Sequence, residues 1–133
     1  KRVVILKEKD AERYLPVWIG PTEATAIGLA LEGVSTPRPL THDLACSIMD
    51  ALGGSVNFVV INDLQDDVFY AKVVLSAGGR QMEIDSRPSD ALAIALRVEA
   101  PIYAEEAVLD EAGISLEGET EKFVFSGERL CEL

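Results

Sequence analysis

The stretch SVNFVVINDLQDDVFYAKVVLSAGGRQMEI, Ser55 to Ile84, decides the fold. It contains three β-rich runs, Ser55 to Leu64, Val68 to Ser76 and Arg80 to Ile84. Short joints separate the runs, Gln65-Asp66-Asp67 in one case and Ala77-Gly78-Gly79 in the other, and such joints are typical of hairpins. The sequence therefore predicts a three-stranded antiparallel meander.

Helices and shorter strands are predicted on either side of this meander. They are a hairpin of Val3 to Lys7 and Arg13 to Ile19, a helix begun by Pro21 and ended by Gly33, a helix from Thr41 to Gly53, a helix over Asp90 to Val98 with Pro88 in its first turn, a short strand at Ile102 to Ala104, and a helix over Glu105 to Ala112. This order predicts one α+β domain with a mostly antiparallel sheet and helices packed on it. We place the domain at residues 1–113 and an acidic extension of uncertain structure at 114–133.

Composition limits the classes of function. With 133 residues, of which 48% are apolar and 26% charged, the chain is that of a soluble globular protein, and no apolar run could span a membrane. The cysteines Cys46 and Cys131 are far apart, so we expect a reducing cytoplasm. The net charge of −11 repels polyanions unless positive charge is concentrated locally. Residues 105–133 carry nine acidic and two basic side chains, so the acidity is mainly C-terminal.

Three polar segments each open a predicted helix. They are Gly20-Pro21-Thr22-Glu23, Arg38 to Asp43, and Asp85 to Asp90. A helix N-terminus presents free N–H groups and a partial positive charge, which favour anion binding. These segments also carry the groups of a phosphodiesterase, because arginine neutralises phosphate while carboxylates and histidine hold a cation or activate water.

Candidate roles follow from this chemistry. The candidate catalytic residues are His42, Asp43 and Asp90; the candidate phosphate-binding residues are Arg38, Arg87 and Ser89; and the candidate ligands of a divalent cation, Mg²⁺ or Mn²⁺, are Glu23, Asp43, Asp85 and Asp90. His42 is the only histidine in the chain, and neutral imidazole is the form that a general base requires.

A structural interpretation of the same residues stays open. Thr41, Ser86 and Ser89 are good helix caps, and acidic residues in a first turn stabilise a helix through its dipole. Trp18 and Tyr14 are interpreted as core or sheet-face packing, because the few aromatic residues are not interleaved with lysines as in a base-stacking platform.

The same motifs resemble the bifunctional nuclease (BFN) domain family. The similarity covers Val3 to Gly113 and runs through RYLPVWIG (13–20) with Glu23, RPLTHDL (38–44), FYA (69–71), DSRPSDA (85–91) and APIY (100–103). The resemblance implies a compact α+β domain and, from the plant members, a nuclease that acts on both RNA and DNA with little sequence preference. It implies no agreed set of catalytic residues, and the tail beyond Gly113 departs from the pattern.

Three functions are therefore weighed. The first is a low-specificity, divalent-metal-assisted nuclease acting on RNA or single-stranded DNA. The second is a non-catalytic binding or oligomerisation module, and the third is a small-molecule hydrolase or sensor. The family's usual leading strand is missing here and the tail is unplaced, so exposed strand edges predict a homodimer or higher homo-oligomer.

Overall fold

The computed structural model describes residues 2–115 and the backbone of two short strands in the tail. The strands are β1 (Arg2–Lys7), β2 (Tyr14–Ile19), β3 (Gly54–Gln65), β4 (Val68–Ala77), β5 (Arg80–Ser86), β6 (Ile102–Ala104), β7 (Phe123–Phe125) and β8 (Leu130–Glu132). The helices are α1 (Pro21–Glu32), α2 (Thr41–Ala51), α3 (Pro88–Val98) and α4 (Glu106–Ala112). Among these residues no helix has the length and apolar content to cross a lipid bilayer. The predicted single α+β domain is confirmed.

The predicted meander forms the main sheet. Strands β5, β4 and β3 are neighbours in antiparallel pairs, and β6 and then β8 are added in parallel beyond β3. The turn between β4 and β5 needs positive φ, which Gly78 and Gly79 supply at 58° and 76°. A second small sheet has the order β2-β1-β7, with β2 antiparallel to β1.

The core lies between the sheet and the helices. Helix α3 packs against α1, β3 and β4. It contributes five buried apolar residues, Pro88, Ala91, Leu92, Ala93 and Ala95. Leu92 on α3, Ile27 on α1 and Ile61 on β3 are each about 1% exposed or less. Truncating such a buried side chain typically costs about 2–5 kcal/mol of folding free energy. Packing of this strength fixes α1 and α3 against the sheet, and the N-termini of these helices are therefore held in place.

Helix α2 is packed differently from α3. None of its residues is buried, and Leu44, Ile48 and the C-cap residue Leu52 lie exposed at a spacing of four residues. This spacing places the three side chains on one face of the helix, so α2 presents an apolar stripe to solvent. The residues 116–122, 126–129 and 133 lie outside the described part, and the predicted boundary at 113 stays a prediction.

The predicted helix caps are wrong. The N-cap positions of α2 and α3 are Leu40 and Arg87, and neither helix has a side-chain cap at that position. Thr41 is instead the first residue of α2, and the Leu40 amide donates to Asp43 Oδ2 at 2.8 Å. Ser89 is the second residue of α3, so its hydroxyl is not used as a cap. Because Asp43 in the first turn accepts from the Leu40 amide, the N-terminus of α2 is capped without the Thr41 hydroxyl.

Candidate active site

Four side chains from three helix starts converge in the structure. His42 Nε2 lies 2.8 Å from Asp90 Oδ1, and the Arg87 guanidinium donates to both oxygens of Asp90, at 2.8 Å and 3.1 Å. Arg87 also reaches Glu23 Oε2 at 3.4 Å. We call this group, His42, Asp90, Arg87 and Glu23, the His42 cluster.

Local sequence explains why each helix begins where it does. Pro21 is the first residue of α1 and Pro88 is the first residue of α3, and proline at this position is already in the helical range of φ. Glu23 and Asp90 therefore fall in first turns, where the dipole favours a carboxylate. Gly20 lies at the N-cap of α1, and a Cβ at that position would collide with the Glu23 carboxylate.

Asp90 is the charged centre of the cluster. Burial opposes its ionisation, but hydrogen bonds from Arg87 and His42 outweigh burial, and the pKa of Asp90 lies below its ordinary value. The same contact with Asp90 raises the pKa of Arg87. Because Asp90 is an acceptor, His42 Nε2 carries the proton in this hydrogen bond, and the basic lone pair of the neutral ring is on Nδ1.

Two open pockets meet at the cluster. One has a volume of about 320 Å³, lies between the end of β2, the start of β4 and the start of α3, and includes Trp18, Glu23, Arg87 and Ser89 in its walls. The other has a volume of about 580 Å³ and is lined by residues that include Glu23 and His42. We call them the Trp18 pocket and the His42 pocket. Glu23 lines both, so a ligand at the cluster can extend into either.

Three residues predicted for the site lie elsewhere. Asp43 Oδ1 accepts from Arg97 Nε at 2.7 Å and Oδ2 from the Leu40 amide, so both oxygens are engaged. The backbone contact and Arg97 lower the pKa of Asp43. Asp85 is exposed on β5 opposite Lys72, and Arg38 is exposed in the loop before α2 and lines neither pocket.

The predicted metal ligands are not gathered into one group. In residues 2–115 no set of three or more His, Cys, Asp and Glu side chains is arranged to hold a metal ion. Arg87 also bridges Glu23 and Asp90, so a cation would have to displace a guanidinium. The described residues therefore do not fit the predicted Mg²⁺ or Mn²⁺ site.

Trp18 lies at the surface and not in the packing that the sequence predicts for it. It is 64% exposed and lines the Trp18 pocket, so its interpretation as packing is wrong. The signal was present in β2, where Leu15, Val17 and Ile19 alternate inward and are buried. Strand residues two apart face the same side, so this alternation places Trp18 on the opposite face.

Ser89, a predicted phosphate-binding residue, lies in the wall of the Trp18 pocket. It is 6% exposed. Within the described residues its hydroxyl has no hydrogen-bond partner. In this part of the chain the only buried side-chain polar atom without a partner is Asn62 Oδ1, so the Ser89 hydroxyl is open to the pocket, where water or a ligand can supply its partner.

Comparison with known proteins places the chain among relatives of the predicted kind. The bifunctional nuclease domain matches residues 4–117. An uncharacterized protein of Mycobacterium tuberculosis is 49% identical over 131 residues, which are 98% of this chain and 78% of the relative. Bifunctional nuclease 1 of Oryza sativa subsp. indica is 26% identical over 97% of this chain and 40% of the relative. Bifunctional nuclease 1 of Arabidopsis thaliana is 28% identical over 74% of this chain and 32% of the relative.

The rice and Arabidopsis proteins are much longer than the segment they share with this chain, so the similarity concerns only part of each. The family match covers both parts of the structure that build the cluster, the helix starts at Glu23 and His42 and the segment with Arg87 and Asp90. On the extent of that match, this chain belongs to the bifunctional nuclease domain family.

Proposed function

We propose that this chain hydrolyses phosphodiester bonds of RNA and single-stranded DNA, with His42 as general base. The observation that carries the proposal is the hydrogen bond between His42 Nε2 and Asp90 Oδ1 beside two open pockets. An imidazole held by a carboxylate is oriented and fixed in one tautomer, which is how a general base is prepared. The name bifunctional nuclease, carried by the rice and Arabidopsis relatives, supports this reaction class.

The reaction needs few groups. In the proposed step, His42 Nδ1 takes a proton from a water molecule as its oxygen bonds to phosphorus, and the bond from phosphorus to the leaving oxygen breaks. The leaving oxygen takes a proton from solvent water, and the imidazolium returns its proton to solvent, so that one water molecule is consumed for each bond broken. Asp90 stabilises the imidazolium, because its lowered pKa keeps it ionised at neutral pH.

Arg87 is the candidate phosphate-binding residue. Its side chain is 64% exposed, and its contact with Glu23 is the longest in the cluster at 3.4 Å. A phosphate can replace Glu23 there while Arg87 stays oriented by Asp90. Because the whole chain has a net charge of −11, we expect weak binding that weakens further with salt.

The decisive experiment compares the native chain with His42→Gln on a labelled single-stranded RNA and a single-stranded DNA. Glutamine can still donate to Asp90 but cannot take a proton, so we expect the fold to persist and the rate to fall by about 10²–10⁴-fold. Circular dichroism checks the fold. Cleavage by His42→Gln at the native rate would remove His42 from the mechanism.

A second pair of measurements tests the predicted divalent cation. The assay is run after treatment with EDTA and after addition of Mg²⁺ or Mn²⁺, with Asp85→Asn as a control for a carboxylate outside the cluster. Activity that survives EDTA supports the metal-free step. Activity that requires the added metal in the native chain and in Asp85→Asn alike would mean that a metal ion, and not His42, activates the attacking water.

A second candidate function rests on α2. The exposed stripe of Leu44, Ile48 and Leu52 is an apolar face of the kind that marks protein–protein contacts. It favours the alternative of a binding or oligomerisation module. If the purified chain has no nuclease activity and Ile48→Asp converts a dimer to a monomer in light scattering, this alternative replaces the first.

A further inference from the structure

The Trp18 pocket combines an aromatic surface with a small number of polar groups. Phe69 and Pro88 provide apolar walls, while Ser89, Glu23 and Arg87 provide hydrogen-bonding groups. Its volume of about 320 Å³ is in the range of small-molecule sites, which are mostly apolar with a few polar groups that fix orientation. These properties suit a flat heteroaromatic ring.

Trp18 provides the stacking surface. The indole is exposed although the neighbouring β2 side chains Val17 and Ile19 are buried, so packing of the core does not account for it. An indole face stacks on any base, because every base has a π-face, and this contact does not depend on charge. An acidic chain can therefore gain affinity for a nucleotide here without a basic surface.

Ser89 provides an edge contact that is independent of Trp18. Its hydroxyl is part of a residue only 6% exposed, lines the pocket and lacks a partner in the described part of the chain. A hydroxyl can donate or accept, so it can pair with a ring nitrogen or an exocyclic group of a base. The pocket thus contains both a stacking face and an unused hydrogen-bonding group.

The position of the pocket relates the base to the reacting phosphate. Arg87 and Glu23 belong to both the pocket wall and the His42 cluster. Resting on the proposed function, we propose that the Trp18 pocket binds the unpaired nucleobase next to the phosphate at Arg87, with the base stacked on Trp18 and its edge bonded to Ser89. A base inside a duplex is already stacked and paired, so this site selects single strands.

The test uses a property of the sequence, because Trp18 is the only tryptophan in the chain. Its fluorescence therefore reports on this pocket alone. We expect AMP to quench it saturably, with excitation at the red edge of the indole band, and ribose 5-phosphate and inorganic phosphate to bind at least about tenfold more weakly. Equal binding of AMP and ribose 5-phosphate would overturn the base site.

Matched variants separate stacking from other contacts, with binding measured by calorimetry. Trp18→Leu should lose the advantage of AMP over ribose 5-phosphate, while Trp18→Phe should keep most of it. Ser89→Ala should weaken AMP by a smaller factor, about three- to tenfold. An unchanged AMP affinity in Trp18→Leu would show that the base binds elsewhere and would overturn the proposal.

The same titrations in His42→Gln distinguish this inference from the proposed function. Binding there involves no turnover, so AMP binding can be intact whether or not the native chain cleaves RNA. A short oligoadenylate should bind at least as tightly as AMP, and the reverse order would show a site for free nucleotides and overturn the assignment to nucleic acid. If the native chain cleaves RNA but binds AMP no more tightly than ribose 5-phosphate, the base site is overturned and the proposed nuclease function is not.

Discussion

Arg13 and Arg87 each lie among several carboxylates, yet their surroundings differ. Arg13 is bonded to Glu8 at 2.9 Å and also reaches Glu106 and Asp110, and its side chain is 26% exposed. Arg87 is bonded to Asp90 and Glu23, and its side chain is 64% exposed. Neither contact set alone distinguishes a structural ion pair from a binding site.

Burial of the carboxylates makes the distinction. Glu8 is 2% exposed, and Arg13 donates to both of its carboxylate oxygens. A carboxylate this deeply buried needs such pairing. The Arg13 side chain is itself closely packed, because a methyl group at Gly113 would lie 2.9 Å from it. Asp90 is 30% exposed and its arginine faces a pocket. The Arg13 group therefore joins β1, β2 and α4, whereas Arg87 has donors that a ligand can reach.

The largest expected effect is on stability, and it tests this contrast directly. Arg13→Ala removes the cation beside a buried carboxylate, so we expect the midpoint of thermal unfolding to fall by roughly 5–15 °C. Arg87→Ala should change the free energy of unfolding by less than about 1 kcal/mol, because exposed ion pairs contribute little. Differential scanning calorimetry of the two variants is the measurement. Similar losses in both would make Arg87 a structural ion pair.

The next largest effect is on activity, and here the change at Arg87 should matter although it hardly alters stability. Arg87→Ala should lower kcat/KM on single-stranded RNA by about 10²-fold, because a donor to the phosphate is removed. Arg87→Lys should lose about tenfold, since lysine keeps the charge but not the planar fork that Asp90 orients. Arg80→Ala makes the same change in net charge at an exposed arginine of β5, and it should leave kcat/KM near the native value. A similar loss in Arg80→Ala would indicate long-range steering by charge.

A smaller effect is expected at Glu23. Because its carboxylate competes with phosphate for Arg87, Glu23→Gln should lower KM by about two- to fivefold and leave kcat nearly unchanged. Steady-state kinetics at low salt measure both constants. A fall in kcat that added Mn²⁺ reverses would instead identify Glu23 as the metal ligand that the sequence predicted.

The fold was largely predictable because its signals are local. The meander of β3, β4 and β5 follows from alternating β-rich runs with short joints, and Pro21 and Pro88 begin helices as expected. The parallel pairs that β6 and the two tail strands make are not local, since they join segments far apart in the chain. No turn signal specifies such pairs, so the sequence did not predict them.

The site was predicted only in part, for a related reason. The residue types at three helix starts predicted the contents of the His42 cluster, but the contact between His42 and Asp90 spans 48 positions. Adjacent helical residues point about 100° apart, so Asp43 could not face the same way as His42, and it is bonded to Arg97 instead. Composition predicts packing for Trp18, because aromatic residues in strands are commonly packed, and only the alternation along β2 indicates that it faces outward.

The smallest expected effect concerns the acid stability that Asp90 contributes. Its pKa in the folded chain lies below the ordinary value of 3.8. A lowered pKa means that folding favours the ionised carboxylate, so the contribution of Asp90 to stability is complete above pH 3.8 and is lost as the pH falls through the lowered pKa.

The variant Asp90→Asn has no such titration. The native chain should therefore be more stable than Asp90→Asn by less than about 1 kcal/mol at neutral pH, since Arg87 is exposed and screened. Urea unfolding at a series of pH values should show this difference shrink towards zero below pH 3.8, and more readily in high salt. A difference that stays constant with pH would mean that Asp90 is held by packing and not by the charges of Arg87 and His42, and the contrast with the Arg13 group would then rest on exposure alone.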